Sequence, residues 1–283
     1  MTEGLEYALA SLVCYGVGDF IYKRAAASGI RADHFLMGQA WFFLPLILAY
    51  ALSTHALVPR AAALWGALAG VFVFIGFYNF VRSLAGGSVS INAPIFRLNF
   101  IVTASLAIVF LGEPLTLAKT AGLALALLAT WLLLGARQPG DRARDDRRAL
   151  AQVLSATLAF GAANFFHAVG LRHGALPETL IAAQATVFMP LATLFVFLAD
   201  RRLRLPPAAW RYGAVVAVVL LAAFVFLLRS VARGEASVMV PIAQMGFIVT
   251  AALGIILLRE KVTTRKILGL ATALAALAVL AAS

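Results

Sequence analysis

The chain has 283 residues, of which 63% are hydrophobic and 12% charged, with a mean hydropathy of +0.96, far from the composition of a soluble domain. The lone cysteine, Cys14, lies in an apolar run, and the four histidines are scattered without a His/Glu motif; together these exclude a disulfide framework and argue against any resident metal or iron–sulfur site. The formal charge of +11 falls almost wholly between the apolar runs, so it reads as a property of loops and not as a nucleic-acid footprint.

Apolar runs of spanning length recur along the chain. Five lie near 5–22, 34–53, 62–81, 89–111 and 116–135, and five more near 149–170, 178–199, 209–228, 236–258 and 264–282. The start, Met1-Thr2-Glu3-Gly4-Leu5-Glu6, is acidic where a secretory leader is basic, so the first run is expected to persist as a helix. Between the two groups, Ala136 to Arg148 is the longest polar stretch, punctuated by Pro139-Gly140. The expected organisation is a five-helix unit over 1–135, a cytoplasmic linker over 136–148 and a second five-helix unit over 149–283, in an all-α integral membrane protein of ten transmembrane helices.

The two units are repeats. Laid over each other with an offset of 147, Arg82 to Ala124 and Arg229 to Ala271 share 21 identities in 43 positions without a gap, among them Pro94/Pro241, Glu113/Glu260 and Lys119/Lys266. Earlier in the chain the offset is 145, pairing Gly16/Gly161, Gln39/Gln184, Pro45/Pro190 and Trp65/Trp210. An odd number of spans per unit forces the copies into opposite orientations, the inverted-repeat plan of secondary transporters. Prolines 45, 94, 190 and 241 are all duplicated, so interrupted helices belong to the shared design. Trp65 and Trp210, at span entrances, read as interfacial anchors.

Ten spans, the 5+5 duplication and the run Phe110-Leu-Gly-Glu-Pro-Leu-Thr116, echoed by Leu258-Arg-Glu-Lys-Val-Thr263, resemble the drug/metabolite transporter superfamily, EamA type. Arg259 stands where the first copy has Gly112, so the second signature is weaker. Within that group the chain looks most like the YddG exporters, which would imply export of aromatic amino acids and related compounds.

An arginine at mid-span costs about 2.5–3.5 kcal/mol on insertion scales, so it is kept only with a partner or a role. Arg97 is the one such cation, and its repeat partner is the neutral Gln244. It reads either as a carboxylate-binding or gating charge, or as a structural cation paired with Asp19 or snorkelling to the surface. Asp19, the only carboxylate within a predicted span, lies four residues before Lys23, at the spacing of a local ion pair; its repeat partner Asn164 cannot carry a proton. Tyr15, Asp19 and Tyr22 share one helical face, matched by Phe160, Asn164 and His167. Tyr78-Asn79 lies amid Phe72, Phe74, Phe77 and Phe80, Gln39 lies near Trp41, and the fourth span holds Asn92 and Asn99. Such groups either line a wet cavity or hydrogen-bond between helices.

The candidate substrate-binding residues are therefore Tyr78, Asn79, Trp41, Gln39, Asn99, Asn164, His167, Gln184 and Gln244, with Asp19 and Arg97 as gate or coupling pair. Aromatic walls with few charges suit a zwitterion with an apolar side chain better than a phosphate ester. The expected function is export of small metabolites, aromatic or other apolar amino acids first, by alternating access. The alternatives are export of cationic drugs or other metabolites, or a channel-like facilitator. The expected partners are a small-molecule substrate and membrane lipids, with no nucleic acid, cofactor or metal, and a single chain as the working unit. Glu113 and Glu260 read as caps of the fifth and tenth helices, and Gly66 and Gly70 as a seat for a close helix or a dimer contact. Gly16-Val17-Gly18-Asp19 spells the GxGD of intramembrane aspartyl proteases, but that chemistry needs a second membrane carboxylate, which is missing.

The loops after odd-numbered helices carry 17 Lys/Arg against five after even-numbered ones. By the positive-inside rule the first set is cytoplasmic and both termini face the periplasm of a bacterial inner membrane. A cysteine placed at Ala143 in a Cys14-free background should then resist impermeant thiol reagents in intact cells, while one at the C-terminal end reacts; equal labelling reverses the topology.

Overall fold

A computed structural model describes residues 2–86, 95–134, 146–258 and 263–283. Asn92, Pro94, Glu260 and nearly all of the 136–148 linker, singled out in the sequence, lie outside the described residues. Eleven helices are described: α1 Thr2–Ala27, α2 Ala32–Ser53, α3 Ala63–Gly86, α4 Asn99–Leu111, α5 Leu117–Leu134, α6 Asp146–Arg172, α7 Pro177–Asp200, α8 Pro207–Val231, α9 Ala236–Gln244, α10 Phe247–Leu258 and α11 Thr264–Ala281. Among the described residues eight spans are long and apolar enough to cross a membrane, the seventh of them, Ala236–Leu257, joining α9 and α10. Two shorter apolar helices, Ile95–Leu111 and Leu117–Leu132, fill the fourth and fifth places. The chain is thus an all-helical multi-pass membrane protein, with five membrane helices in each copy.

Packing obeys the exchange of the two copies. Helix α1 packs on α8 as α6 packs on α3, α2 on α8 as α7 on α3, and α10 on α1 as α4 on α6; α2 with α7 and α5 with α11 are self-matched pairs. No partner of α1 lies within its own copy's α2–α3 pair to the same extent, so the copies interleave instead of folding as separate lobes. Turns 2/3 and 6/7 meet where Arg60 Nη1 donates to the Gly174 carbonyl at 3.1 Å, and Arg233 lies over the Tyr7 ring; this end, with the chain termini, is called the terminal face. The opposite end, where α5 leads into α6, is the linker face.

The fourth and ninth spans break at matching places, Leu98 and Met245, 147 residues apart. Each break is bridged by three-residue bonds: Leu98 N–H to Ile95 O and Ile101 N–H to Leu98 O, matched by Met245 N–H to Ile242 O and Ile248 N–H to Met245 O. Each break is seated on a glycine of the other copy. A Cβ on Gly16 would lie 2.4 Å from the Gly246 carbonyl oxygen, and one on Gly161 would lie 2.7 Å from that of Asn99. Thr250 then donates to Gly16 O at 2.9 Å and Thr103 to Gly161 O at 3.1 Å. Pro45 and Pro190 sit inside unbroken α2 and α7, so the interruptions fall in two of the four proline helices.

Gly66 and Gly70 rest on the backbone of Leu180 and Gln184, and Gly213 rests on Gly38 and Gln39. The small-residue pair of α3 therefore seats α7 within the chain, not a dimer partner. Trp65 and Trp210 do stand at the starts of α3 and α8, stacked on Phe166 and edge-on to Phe42.

Replacing a mid-helix glycine by alanine favours an isolated helix by about 1 kcal/mol, so the sign of the effect reports on the contact. Gly16→Ala, which must push backbone against backbone, should lower the thermal midpoint by the equivalent of about 1–3 kcal/mol. Gly18→Ala meets only a movable Leu220 methyl and should be neutral or stabilising; equal effects would discount the contact.

Candidate functional site

The residue before the first break reaches not α6, which seats that break, but α1 of its own copy. In the first copy Arg97 Nη2 donates to Asp19 Oδ2, and one turn on, the Tyr22 hydroxyl donates to Gln39 Oε1. In the second copy the same four places hold Gln244, Asn164, His167 and Gln184, all buried and none charged like Asp19 and Arg97. There the His167 ring and the Gln184 amide have each other as neighbours, while Asn164 Nδ2 and Gln244 Nε2 lack a hydrogen-bond partner among the described residues. Tyr15 Oη, Asn99 Oδ1 and Ser237 Oγ share that condition. A buried polar atom without a partner costs about 1–3 kcal/mol, so a group of them in one layer calls for an occupant, protein, water or ligand.

That layer borders a cavity between α2, α3, α7 and α8. Gln39 and Gln184, repeats of each other, line it together with Phe43, Phe77, Phe188 and Phe224. Its volume is about 20 Å³, room for about one water. Phe224 joins the wall to that layer, with ring centroids 5.9 Å from Tyr15, 6.0 Å from Phe43 and 6.5 Å from His167. Phe77 meets Phe160 edge-on at 5.2 Å and Phe188 at 6.2 Å.

Of the expected binding residues, the structure brings Gln39 and Gln184 to this cavity, with His167 behind the wall residue Phe224 and Asn164, Gln244 and Asn99 buried near the seats and breaks. Asn99 Nδ2 also donates to Phe96 O at 2.8 Å. Three others stand elsewhere. Trp41 is 45% exposed and donates to Thr193 Oγ1 on α7 at 3.0 Å, because it falls on the flank of α2 opposite the cavity. Asn79 bonds within its own helix, to Ile75 O at 2.9 Å. Tyr78 packs on Phe195 and Phe74 and accepts from Arg82; its neighbour Phe77 takes the wall position. The wall residues Phe43, Phe188 and Phe224 are absent from the sequence expectation, since a phenylalanine that lines a cavity reads like one that meets lipid.

The signature run ties the copies together at the terminal face. Gly112, at φ +67°, ends α4, and Thr116 Oγ1 accepts from Lys119 N to cap α5. Contrary to the expectation, Glu113 therefore does not cap the fifth helix; its two oxygens accept from Ala236 N at 3.0 Å and Ser237 N at 2.8 Å, capping α9 in the other copy. Arg172 meets the same carboxylate at 3.1 Å. Lys119, buried to 1%, donates to Pro114 O and pairs with Glu235 at the entrance to α9. Beside them Arg229 reaches Glu178 at 2.6 Å and Tyr50 Oη at 3.0 Å. The duplicated Arg82/Arg229 was the one sequence signal of this last pair.

At the linker face Arg31 bridges Asp33 and Asp200, and His34 meets Asp200. Hydrogen bonds to those two carboxylates, Asp33 first, raise the Arg31 guanidinium above its ordinary pKa.

Asp19→Asn leaves Arg97 without a counter-charge, which should destabilise the protein, though by less than the about 3–5 kcal/mol of a fully buried pair, because the two side chains keep 25% and 17% of their surface exposed. The double variant Asp19→Asn/Arg97→Gln recreates the Asn164/Gln244 combination of the second copy and should recover most of that loss. Additive losses in a thermal-shift cycle would show that the two side chains do not interact.

A model of the EamA-like transporter family matches residues 2–135 and again 147–282. A solved structure whose title reads only "Crystal structure of protein" superposes with a TM-score of 0.84 over 99% of this chain and 96% of that one, at 13% identity, a likeness of fold alone. No curated protein sequence matches. The family is one of transporters, not enzymes, and both copies of the repeat are covered by its model: the chain belongs to the EamA-like transporter family.

Proposed function

We propose that this transporter exports small aromatic or other apolar amino acids, as the YddG exporters it resembles would, across a bacterial inner membrane by alternating access. The observation that carries the reading is the aromatic cavity between Gln39 and Gln184, with the buried amide and imidazole groups of Asn164, His167 and Gln244 in the surrounding layer. A zwitterion offers both donors and acceptors to such groups, and its side chain meets rings rather than charges. Among the described residues Arg97 is the cation near the layer that can attract a carboxylate, so substrate entry would compete with Asp19 for it. A multiply charged phosphate ester finds no second cation there among the described residues.

The cavity holds about one water, so an amino acid enters only if α3 and α8 move relative to α2 and α7. That favours a carrier over a facilitator with a standing pore. The inverted repeat supports the same mechanism, because each copy supplies the other's alternate arrangement. Export of cationic drugs is the second reading, favoured only by the Phe walls; Asp19, already engaged by Arg97, would have to be released to receive the cation.

Counterflow in proteoliposomes with a panel of labelled amino acids tests the substrate class. Aromatic stacking beyond burial is worth about 0.5–1.5 kcal/mol, so Phe77→Ala and Phe224→Ala should each reduce exchange of Phe or Trp by about 2- to 13-fold more than exchange of Thr. Trp41→Ala, on the outer flank, should leave both rates unchanged, and Tyr78→Ala should act less than Phe77→Ala. Equal loss for aromatic and small substrates in well-folded variants would return the substrate class to open.

A further inference from the structure

We propose that Asp33 and Arg82 form an ion pair that closes the linker face when the terminal face opens, as the exchanged counterpart of Glu178 and Arg229. This rests on the alternating-access reading and on none of its substrate claims. Asp33 and Glu178 are related by the 145-residue offset of the early repeat, and Arg82 and Arg229 by the later offset of 147. Chemistry is thus the same at both faces: a carboxylate in the first turn of α2 or α7 and an arginine near the end of α3 or α8.

The contacts are opposite. At the terminal face Arg229 Nε and Nη2 reach Glu178 Oε1 at 3.1 and 2.6 Å, and the Glu178 side chain keeps only 5% of its surface. At the linker face the two charges are held apart. Asp33 is taken by Arg31, two residues away, and Arg82 donates to the Tyr78 hydroxyl in its own helix with the guanidinium carbon 5.3 Å from that ring's centre. Both holding contacts are local and involve an exposed arginine. Exposed pairs of that kind contribute little, so they exchange readily.

In an inverted repeat the two copies trade conformations as the site changes sides. A contact formed in one copy and unmade between equivalent residues of the other therefore marks what is traded. The inner pair does not qualify, because Asn164 and Gln244 cannot reproduce the charges of Asp19 and Arg97. Asp33 and Arg82 do, and the last turn of α3 need only bring Arg82 from Tyr78 to the start of α2, a helix with which α3 is in contact.

The cross-linking arm of the test uses the full chain with Cys14→Ser, reconstituted without substrate, so its outcome is independent of what is carried. Cysteines replace Asp33 and Arg82, and cross-linking by a short bifunctional thiol reagent is measured with and without Glu178→Gln. Removing the terminal-face pair should raise the 33–82 yield at least about fivefold, the lower end of ordinary coupling between sites. Arg229→Gln should do the same, and size-exclusion profiles confirm that each variant is folded. In the otherwise native chain Asp33→Arg and Arg82→Asp should each slow counterflow, and the two together should restore it. A 33–82 yield unchanged by both terminal-face substitutions, or, with a substrate that the native chain exchanges, a charge-reversed double variant no faster than the singles, would overturn the proposal. Loss of aromatic selectivity alone would count against the substrate reading and leave this one standing.

Discussion

A helix broken inside hydrocarbon is tolerated only where protein takes up the polar atoms that the break frees. Here the fourth and ninth spans break at Leu98 and Met245, and each rests on a glycine of the opposite copy, Gly161 or Gly16. The missing Cβ lets backbone meet backbone, and Thr103 and Thr250 supply the crossing hydrogen bonds. Much else follows from those two seats. They force α4 onto α6 and α10 onto α1, which interleaves the copies, and they place Arg97 and Gln244 beside the polar faces of α1 and α6.

The breaks are equivalent in backbone but not in chemistry. One copy spends its polar residues on each other, Arg97 on Asp19 and Tyr22 on Gln39. The other holds neutral residues at the same places, and among the described residues the amide nitrogens of Asn164 and Gln244 have no hydrogen-bond partner. The two copies thus share the fold of the layer while differing in how its polar groups are paired. Groups left unpaired are what a recognition site needs, since those already paired with protein must be released before they can hold anything else. The ring of Phe224 links Tyr15 and His167 of that layer to the cavity wall, so apolar and polar demands converge on one volume.

The terminal face is held by charge. Glu113 caps α9 from 123 residues away in sequence, Lys119 holds Glu235, and Arg229 bridges Glu178 and Tyr50. Three of these groups, Glu113, Lys119 and Glu178, are 5% exposed or less, so each charge depends on its partner and the network holds or yields together. The linker face has more exposed contacts around Arg31 and Asp200. Their unequal burial gives the two ends of the molecule different resistance to opening, although the repeat supplies both with similar residues.

Apolar run lengths and the two offsets determined ten helices, the five-plus-five plan and the matching of Gly16 with Gly161 or Gln39 with Gln184, because spanning length and duplication are written along the chain. The approach of Arg97 to Asp19 was legible too: a cation in the fourth span and a carboxylate in the first have few other partners in hydrocarbon. Helix periodicity could not tell the cavity flank from the lipid flank, since both are apolar, and so Trp41 faces outward while Phe77 takes the wall that Tyr78 was expected to share. Nor could spacing reveal that Glu113 caps a helix of the other copy, because a capping carboxylate is recognised by nearby backbone N–H groups, and only tertiary packing decides whose they are. Tertiary structure also decided which duplicated charges meet: Arg229 and Glu178 do, Arg82 and Asp33 do not, although the sequence writes both pairs alike.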